Sequence, residues 1–202
     1  IRDEVMTMLI AGHETSAKAL LWTFHALAGD EPARCTLHDE LDRALPDRDP
    51  TVEDLPLLPW TRAVVHESLR LYPPAWVIPR RVARADEVGG VRLPARSLVV
   101  LSPFATQRHP EFWPDPERFD PSRWTVEPDP KRSGYRFFPF SAGPRVCIGD
   151  RFALQEIQLV LAVVARSCRL DRESDRPVEM VAENTIRPRG GLRMNVVERR
   201  RQ

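Results

Sequence analysis

The chain has 202 residues, enough for one domain with a substantial core, and its 42% hydrophobic and 29% charged residues are those of an ordinary globular protein. A net charge of +1 excludes the broad basic footprint of a nucleic-acid-binding protein, and no apolar run reaches the roughly 18 residues of a membrane span. Three cysteines, Cys35, Cys147 and Cys168, are too few and too odd in number for a disulfide framework and point to a reducing, cytoplasmic compartment.

Apolar residues at helical spacing (Val5, Met8, Leu9, Leu20, Leu21, Phe24, Leu27) predict a long helix over 1–28, stopped at Gly29. The chain opens at Ile1 inside that pattern and without Met, so the expectation is a partial domain over 1–202 that lacks an upstream half. Asp30 as N-cap and Pro32 in the first turn start a second helix, which closes near Leu45-Pro46. Thr51-Val-Glu-Asp54 has the spacing of a capping box, and a third helix runs from Trp60 to Leu71, where Pro73-Pro74 ends it.

Val77–Val82 and Leu98–Leu101, with Gly89-Gly90 between them, predict a small antiparallel sheet. Residues 103–146 are rich in proline and aromatics without periodicity, more than a compact domain usually spends on loop, which implies a segment ordered around a function. Helical periodicity returns over 149–166, and Gly190-Gly191 between Ile186 and Met194 predicts a terminal hairpin. The fold class is therefore mainly α, with small antiparallel sheets.

The sharpest chemical signal precedes the helix at 149–166. Phe140-Ser-Ala-Gly143-Pro-Arg145-Val-Cys147-Ile-Gly149 is a Gly-punctuated turn that presents one thiol near a helix N-terminus, where the dipole and free N–H groups favour a thiolate. The plain alternative is a structural cysteine beneath a surface turn. Three further groups stand out: Ala11-Gly12-His13-Glu14-Thr15 inside the first helix, Glu67 and Arg70 at i, i+3 on the third, and Pro116-Glu117-Arg118-Phe119 in the irregular stretch. Taken singly, these describe a slightly kinked core helix and a surface ion pair.

Taken together, in this order, the four segments resemble the C-terminal half of the cytochrome P-450 superfamily of haem-thiolate monooxygenases. The Cys147 loop matches the family's Phe-x-x-Gly-x-Arg-x-Cys-x-Gly signature at every fixed position. The resemblance implies a fold with a long central helix, further helices, small sheets, an irregular meander and the Cys loop. It implies haem b as cofactor, with Cys147 as the iron ligand and Phe140, Gly143, Gly149, Arg145 and Arg80 around the macrocycle. A thiolate axial ligand pushes electron density onto the iron and favours O–O cleavage, as it does in this family.

The same resemblance gives Glu14 and Thr15 a proton-relay role and makes Glu67, Arg70 and Arg118 a buried network that ties the meander to the core. It lines the substrate cavity with Ala11, Gly12, Trp76, Val77, Ile78 and Thr185, the last at a hairpin tip. The implied reaction inserts one atom of dioxygen into an apolar organic molecule, with electrons from NAD(P)H delivered by a ferredoxin or flavin reductase. A basic group (Lys131, Arg132, Arg136, Arg145, Arg151) brackets the Cys loop and would steer such an acidic partner, or is simply a solvated loop. Two other readings stay open: a peroxide-using haem-thiolate enzyme, against which the acid–Thr pair speaks, and a non-catalytic fragment without stable haem. No nucleic-acid partner and no membrane span are expected.

Overall fold

The computed structural model describes residues 1–45, 48–126 and 134–199. Four helices converge on the core: α1 (Arg2–Ala28), α2 (Glu31–Ala44), α3 (Pro59–Leu71) and α6 (Asp150–Ser167). Leu27, Leu37, Leu41, Leu45, Leu58, Val64, Leu69, Ile157 and Leu161 are all nearly or fully removed from solvent there. Two short helices, α4 (Pro103–Thr106) and α5 (Arg123–Val126), punctuate the irregular stretch. Among the described residues, no helix is long and apolar enough to cross a membrane.

Helix ends follow their local chemistry. Asp30 caps α2 by accepting from the Ala33 amide at 2.9 Å, as its position predicted. The Asp54 carboxylate accepts from the Thr51 amide and hydroxyl at 2.8 and 3.0 Å and starts a 3₁₀ turn at Val52–Leu57. Helix α3 begins after Leu58, which has no side-chain acceptor. Glu40 of α2 fills that role across the interface, accepting from the Trp60 and Thr61 amides at 2.6 and 2.8 Å. A buried carboxylate at a helix N-terminus meets both free N–H groups and the positive end of the dipole.

The strands form four two-stranded antiparallel pairs rather than one sheet. They are β1 (Ile78–Arg81) with β4 (Leu98–Leu101), β2 (Asp86–Val88) with β3 (Val91–Leu93), β5 (Cys168–Arg172) with β8 (Met194–Glu198), and β6 (Met180–Ala182) with β7 (Ile186–Pro188). Gly89 and Gly90 close the β2–β3 hairpin at φ of +57° and +80°, the left-handed pair that a two-residue turn requires. The terminal hairpin differs from expectation. Gly190-Gly191 does not join paired strands: β7 pairs backward with β6, and β8 crosses to β5 beside α6. Two successive left-handed residues there let the chain leave one pair for another, so the same glycine signal marks a crossover instead of a hairpin.

Indole N–H groups staple distant segments together. Trp22 donates to the Ile186 carbonyl, Trp60 to Ala33, Trp76 to Glu183 and Trp124 to the Glu67 carboxylate, at 2.8–3.0 Å. Buried indoles need such partners, and each one fixes a seam between elements.

Candidate functional site

Helix α3 sets the foundation. Its 3.6-residue period puts Glu67 and Arg70 on one face, and both are fully buried. The Arg70 guanidinium uses all five of its N–H donors. Two bond the Glu67 carboxylate at 2.8 and 2.9 Å, and three bond the carbonyls of Gln107, Pro116 and Arg118 at 2.7–3.0 Å. Glu67 accepts in addition from the Asp120 amide and the Trp124 indole at 2.9 and 2.8 Å. A buried ion pair is tolerable only when its remaining valences are met, and here the meander's backbone meets them.

Arg118 takes part in a different way from that expected. Its side chain is exposed and only its carbonyl enters the network. The second guanidinium near Glu67 belongs to Arg123, 3.4 Å from the carboxylate and 14% exposed, with a further bond to the Asp115 carbonyl. Pro121-Ser-Arg123-Trp124 repeats the Pro-x-Arg-aromatic spacing of Pro116–Phe119 five residues later. That repeat was the available signal, and burial selects its second copy.

Gln107 carries the network onward and had no signal in the sequence. Fully buried, it donates to the Leu69 and Arg70 carbonyls at 3.0 and 3.1 Å and accepts from the Phe138 amide at 2.9 Å. Phe138 begins the Cys loop. The Ser141 amide then bonds the Phe138 carbonyl, and the Cys147 amide bonds the Phe140 carbonyl at 2.9 Å. The loop that presents the thiol is thus tied through Gln107 to the Glu67–Arg70 pair.

Within the loop, Gly143 stands at φ +69°, where a side chain is strained, although a Cβ there would meet no protein atom. Gly149 caps α6 with ordinary backbone angles, and a Cβ on it would lie 3.9 Å from the Cys147 sulfur. Ser141, a non-glycine residue at φ +64°, accepts from Arg80 at 3.1 Å, so the strained residue and the β1 arginine hold each other. The Cys147 side chain is exposed.

That thiol opens into a cavity of about 750 Å³. Ala11, Thr15, Ser16 and Ala19 of α1 form one wall; Ala75, Val77 and Ile78 form the side; Phe140, Cys147 and Ile157 form the opposite wall. Arg80, Arg81 and Arg145 stand on the lining as well. These residues fit a flat, apolar, dianionic macrocycle. The α1 wall is built of small side chains, one thiol is free to ligate, and cations stand where carboxylates could be paired.

Of the residues expected on this lining, Gly12, Trp76 and Thr185 are absent. The Trp76 indole is engaged with the Glu183 carbonyl at 2.8 Å, and the Thr185 hydroxyl donates to Glu14 at 3.1 Å. Gly12 shares its helix face with Thr15, Ser16 and Ala19 but is not itself part of the lining. Glu14 turns from the cavity, 47% exposed, with the Lys18 ammonium 3.9 Å away. Helix α1 is unbroken through 11–15. Thr15 donates to the Ala11 carbonyl at 2.6 Å, a back-bond that bends a helix slightly without opening it. In the basic group, Arg136, Arg145 and Arg151 lie near the loop, while Lys131 and Arg132 fall outside the described residues.

The profile of the family described as Cytochrome P450 matches residues 1–195. The chain is 44% identical over 170 residues to the cyclooctat-9-en-7-ol 5-monooxygenase of Streptomyces melanosporofaciens, covering 84% of this chain and 37% of that protein. It is 39% identical over 199 residues to the pentalenene oxygenase of Streptomyces avermitilis, covering 98% and 44%. A crystal structure of the cytochrome P450DA heme domain superposes with a TM-score of 0.89 at 32% identity, over 97% of this chain and 44% of that one. The chain spans about two fifths of the length of these relatives. The thiol loop, the buried α3 pair beneath it and the match along nearly the whole sequence agree: the chain belongs to the cytochrome P450 family.

Proposed function

We propose that the protein is a haem-thiolate monooxygenase that oxygenates an apolar, olefinic hydrocarbon skeleton. The observation that carries this is the shared cavity: the exposed Cys147 thiol and the Thr15 side chain line one apolar space of about 750 Å³. Haem b, when bound through Cys147, supplies dioxygen activation with electrons drawn from NAD(P)H through a separate donor.

The chain's own residues do the rest. The Phe140 carbonyl holds the Cys147 amide and so aims the sulfur. Arg80, steadied by Ser141, and Arg145 would pair the carboxylates of the haem. Thr15, whose own proton goes to the Ala11 carbonyl, turns its lone pairs toward the cavity and orders water there, while Glu14 supplies protons from the outer side of the helix. Ala11, Ala19, Val77 and Ile78 exclude bulk water and accept an apolar substrate. Two relatives carry the names pentalenene oxygenase and carotene epsilon-monooxygenase, which supports the olefinic class.

Electron delivery falls to the face behind the thiol. Val146, Ile148 and Phe152 are exposed there at 50, 86 and 71%, beside Arg145 and Arg151. An apolar centre with a cationic rim suits an acidic ferredoxin or flavin reductase.

The test is the optical spectrum of the reduced, CO-treated, haem-supplied protein. A strongly red-shifted Soret band is expected, and Cys147→Ala abolishes it; an unshifted band in folded, haem-loaded protein overturns the assignment. Turnover with reductant and ferredoxin, set against turnover with hydrogen peroxide alone, separates the monooxygenase from a peroxide-using enzyme.

A further inference from the structure

The β6–β7 turn has no assigned part in the reaction, yet bonds from α1 and from the segment after α3 pin it near the cavity. The Trp76 indole donates to the Glu183 carbonyl at 2.8 Å, the Trp22 indole to the Ile186 carbonyl at 3.0 Å, and the Ile186 amide to the Pro74 carbonyl at 3.2 Å. These bonds bracket Thr185 on both sides. Thr185 is 7% exposed, and β-branching restricts its χ1, so its hydroxyl has little freedom. It points at one partner, the Glu14 carboxylate, 3.1 Å away.

An ionised carboxylate only accepts, so the Thr185 hydroxyl must donate to it. Lys18 stands 3.9 Å from the same carboxylate oxygen, and the carboxylate is held on the β6–β7 flank of α1, where it is 47% exposed to water. Thr15, the next residue, lines the cavity. Adjacent helix positions are about 100° apart, so Thr15 lines the cavity while Glu14 turns toward the β6–β7 turn and water. We propose that Thr185 is a positioning residue: its bond to Glu14 fixes the flank on which that carboxylate exchanges protons with water before they pass to the cavity. The proposal rests on the reading of Glu14 as proton donor.

The experiment is a double-mutant cycle in the haem-loaded protein, with Thr185→Val, Thr185→Ser and Glu14→Gln. The expected result is that Thr185→Val lowers product formed per dioxygen consumed by about threefold to tenfold. The reduced-CO Soret band and the substrate-induced spectral shift stay as in the parent, and Thr185→Ser restores coupling. In a Glu14→Gln background, Thr185→Val has no further effect, because the two residues act as one unit.

A readout independent of turnover is the denaturant midpoint for loss of the Soret band. There Thr185→Val and Glu14→Ala combine less than additively. If Glu14→Gln leaves coupling intact, the proton-donor reading falls and the positioning role falls with it. If Glu14→Gln uncouples while Thr185→Val does not, or if the two effects simply add, the positioning role alone is overturned.

Discussion

At the scale of single residues, Arg70 shows why conservative changes at this site are not conservative. Its planar fork reaches one carboxylate and three carbonyls at once, and lysine has three donors on a point charge. Arg70→Lys strands at least two buried acceptors, and full loss of a buried partner costs roughly 3–5 kcal/mol. That is a large share of the roughly 5–15 kcal/mol available to a folded domain, so the expected outcome is haem-free, aggregated protein, checked by Soret absorbance of the purified product. Arg118 and Arg123 separate cleanly. Arg123→Ala removes a guanidinium mostly shielded beside Glu67 and should cost about 1–3 kcal/mol, whereas Arg118→Ala changes an exposed side chain and should stay within about 0.5 kcal/mol. Denaturant midpoints of the two variants decide it. Equal losses would return the role to Arg118.

The same pair shows what was legible. Glu67 and Arg70 sit on a periodic helix, so spacing alone puts them on one face. The meander has no period, and which of two similar arginines turns inward depends on the path of a backbone held by Arg70 itself. Gln107 was invisible for a related reason: its partners are three backbone groups, and nothing in a sequence marks where distant carbonyls converge. Cys147, Thr15, Val77 and Ile78 line the cavity. Trp76 and Thr185 were misplaced because polar bonds with the β6–β7 turn and α1 hold them elsewhere.

At the scale of elements, the C-terminus of α1 depends on a small residue. The Arg172 guanidinium of β5 donates to the His25 carbonyl at 3.2 Å, capping the helix, and a Cβ on Gly29 would lie 2.0 Å from its terminal nitrogen. Gly29 has ordinary backbone angles, so alanine there brings no strain of its own. Gly29→Ala should push Arg172 aside and forfeit the cap, at a cost of about 0.5–1.5 kcal/mol. Gly29→Ala combined with Arg172→Ala should be no worse than Arg172→Ala alone. Thermal midpoints of the three variants test this, and an additive result rejects it.

For the molecule as a whole, two half-buried histidines contribute to its sensitivity to acid. Burial, then the Arg172 guanidinium, lowers the His25 pKa to about 4; burial, then Arg199 and Arg34, lowers that of His38 to about 4. Between pH 6.5 and about 4 the unfolded chain takes up protons at both residues while the native chain does not. Stability therefore falls as pH drops through that window and is recovered above it. Urea midpoints should decline from pH 7 to pH 5, and a His25→Leu, His38→Leu double variant should flatten the decline. An unchanged slope would place the acid sensitivity elsewhere.

The stapling indoles have a practical consequence. Four of the five tryptophans make these bonds, which span separate seams: α1 to β7, α2 to α3, the segment after α3 to the β6–β7 turn, and α5 to the buried carboxylate. Indole emission depends on solvent contact and on quenching by neighbours. Trp22, stacked 4.6 Å from Tyr72, should differ from Trp76, which is partly open to water. Variants keeping one tryptophan each would turn the molecule into a set of local optical gauges. The gauges at Trp22 and Trp76 would report on the same turn from opposite sides, so its opening could be timed apart from unfolding of the helical core.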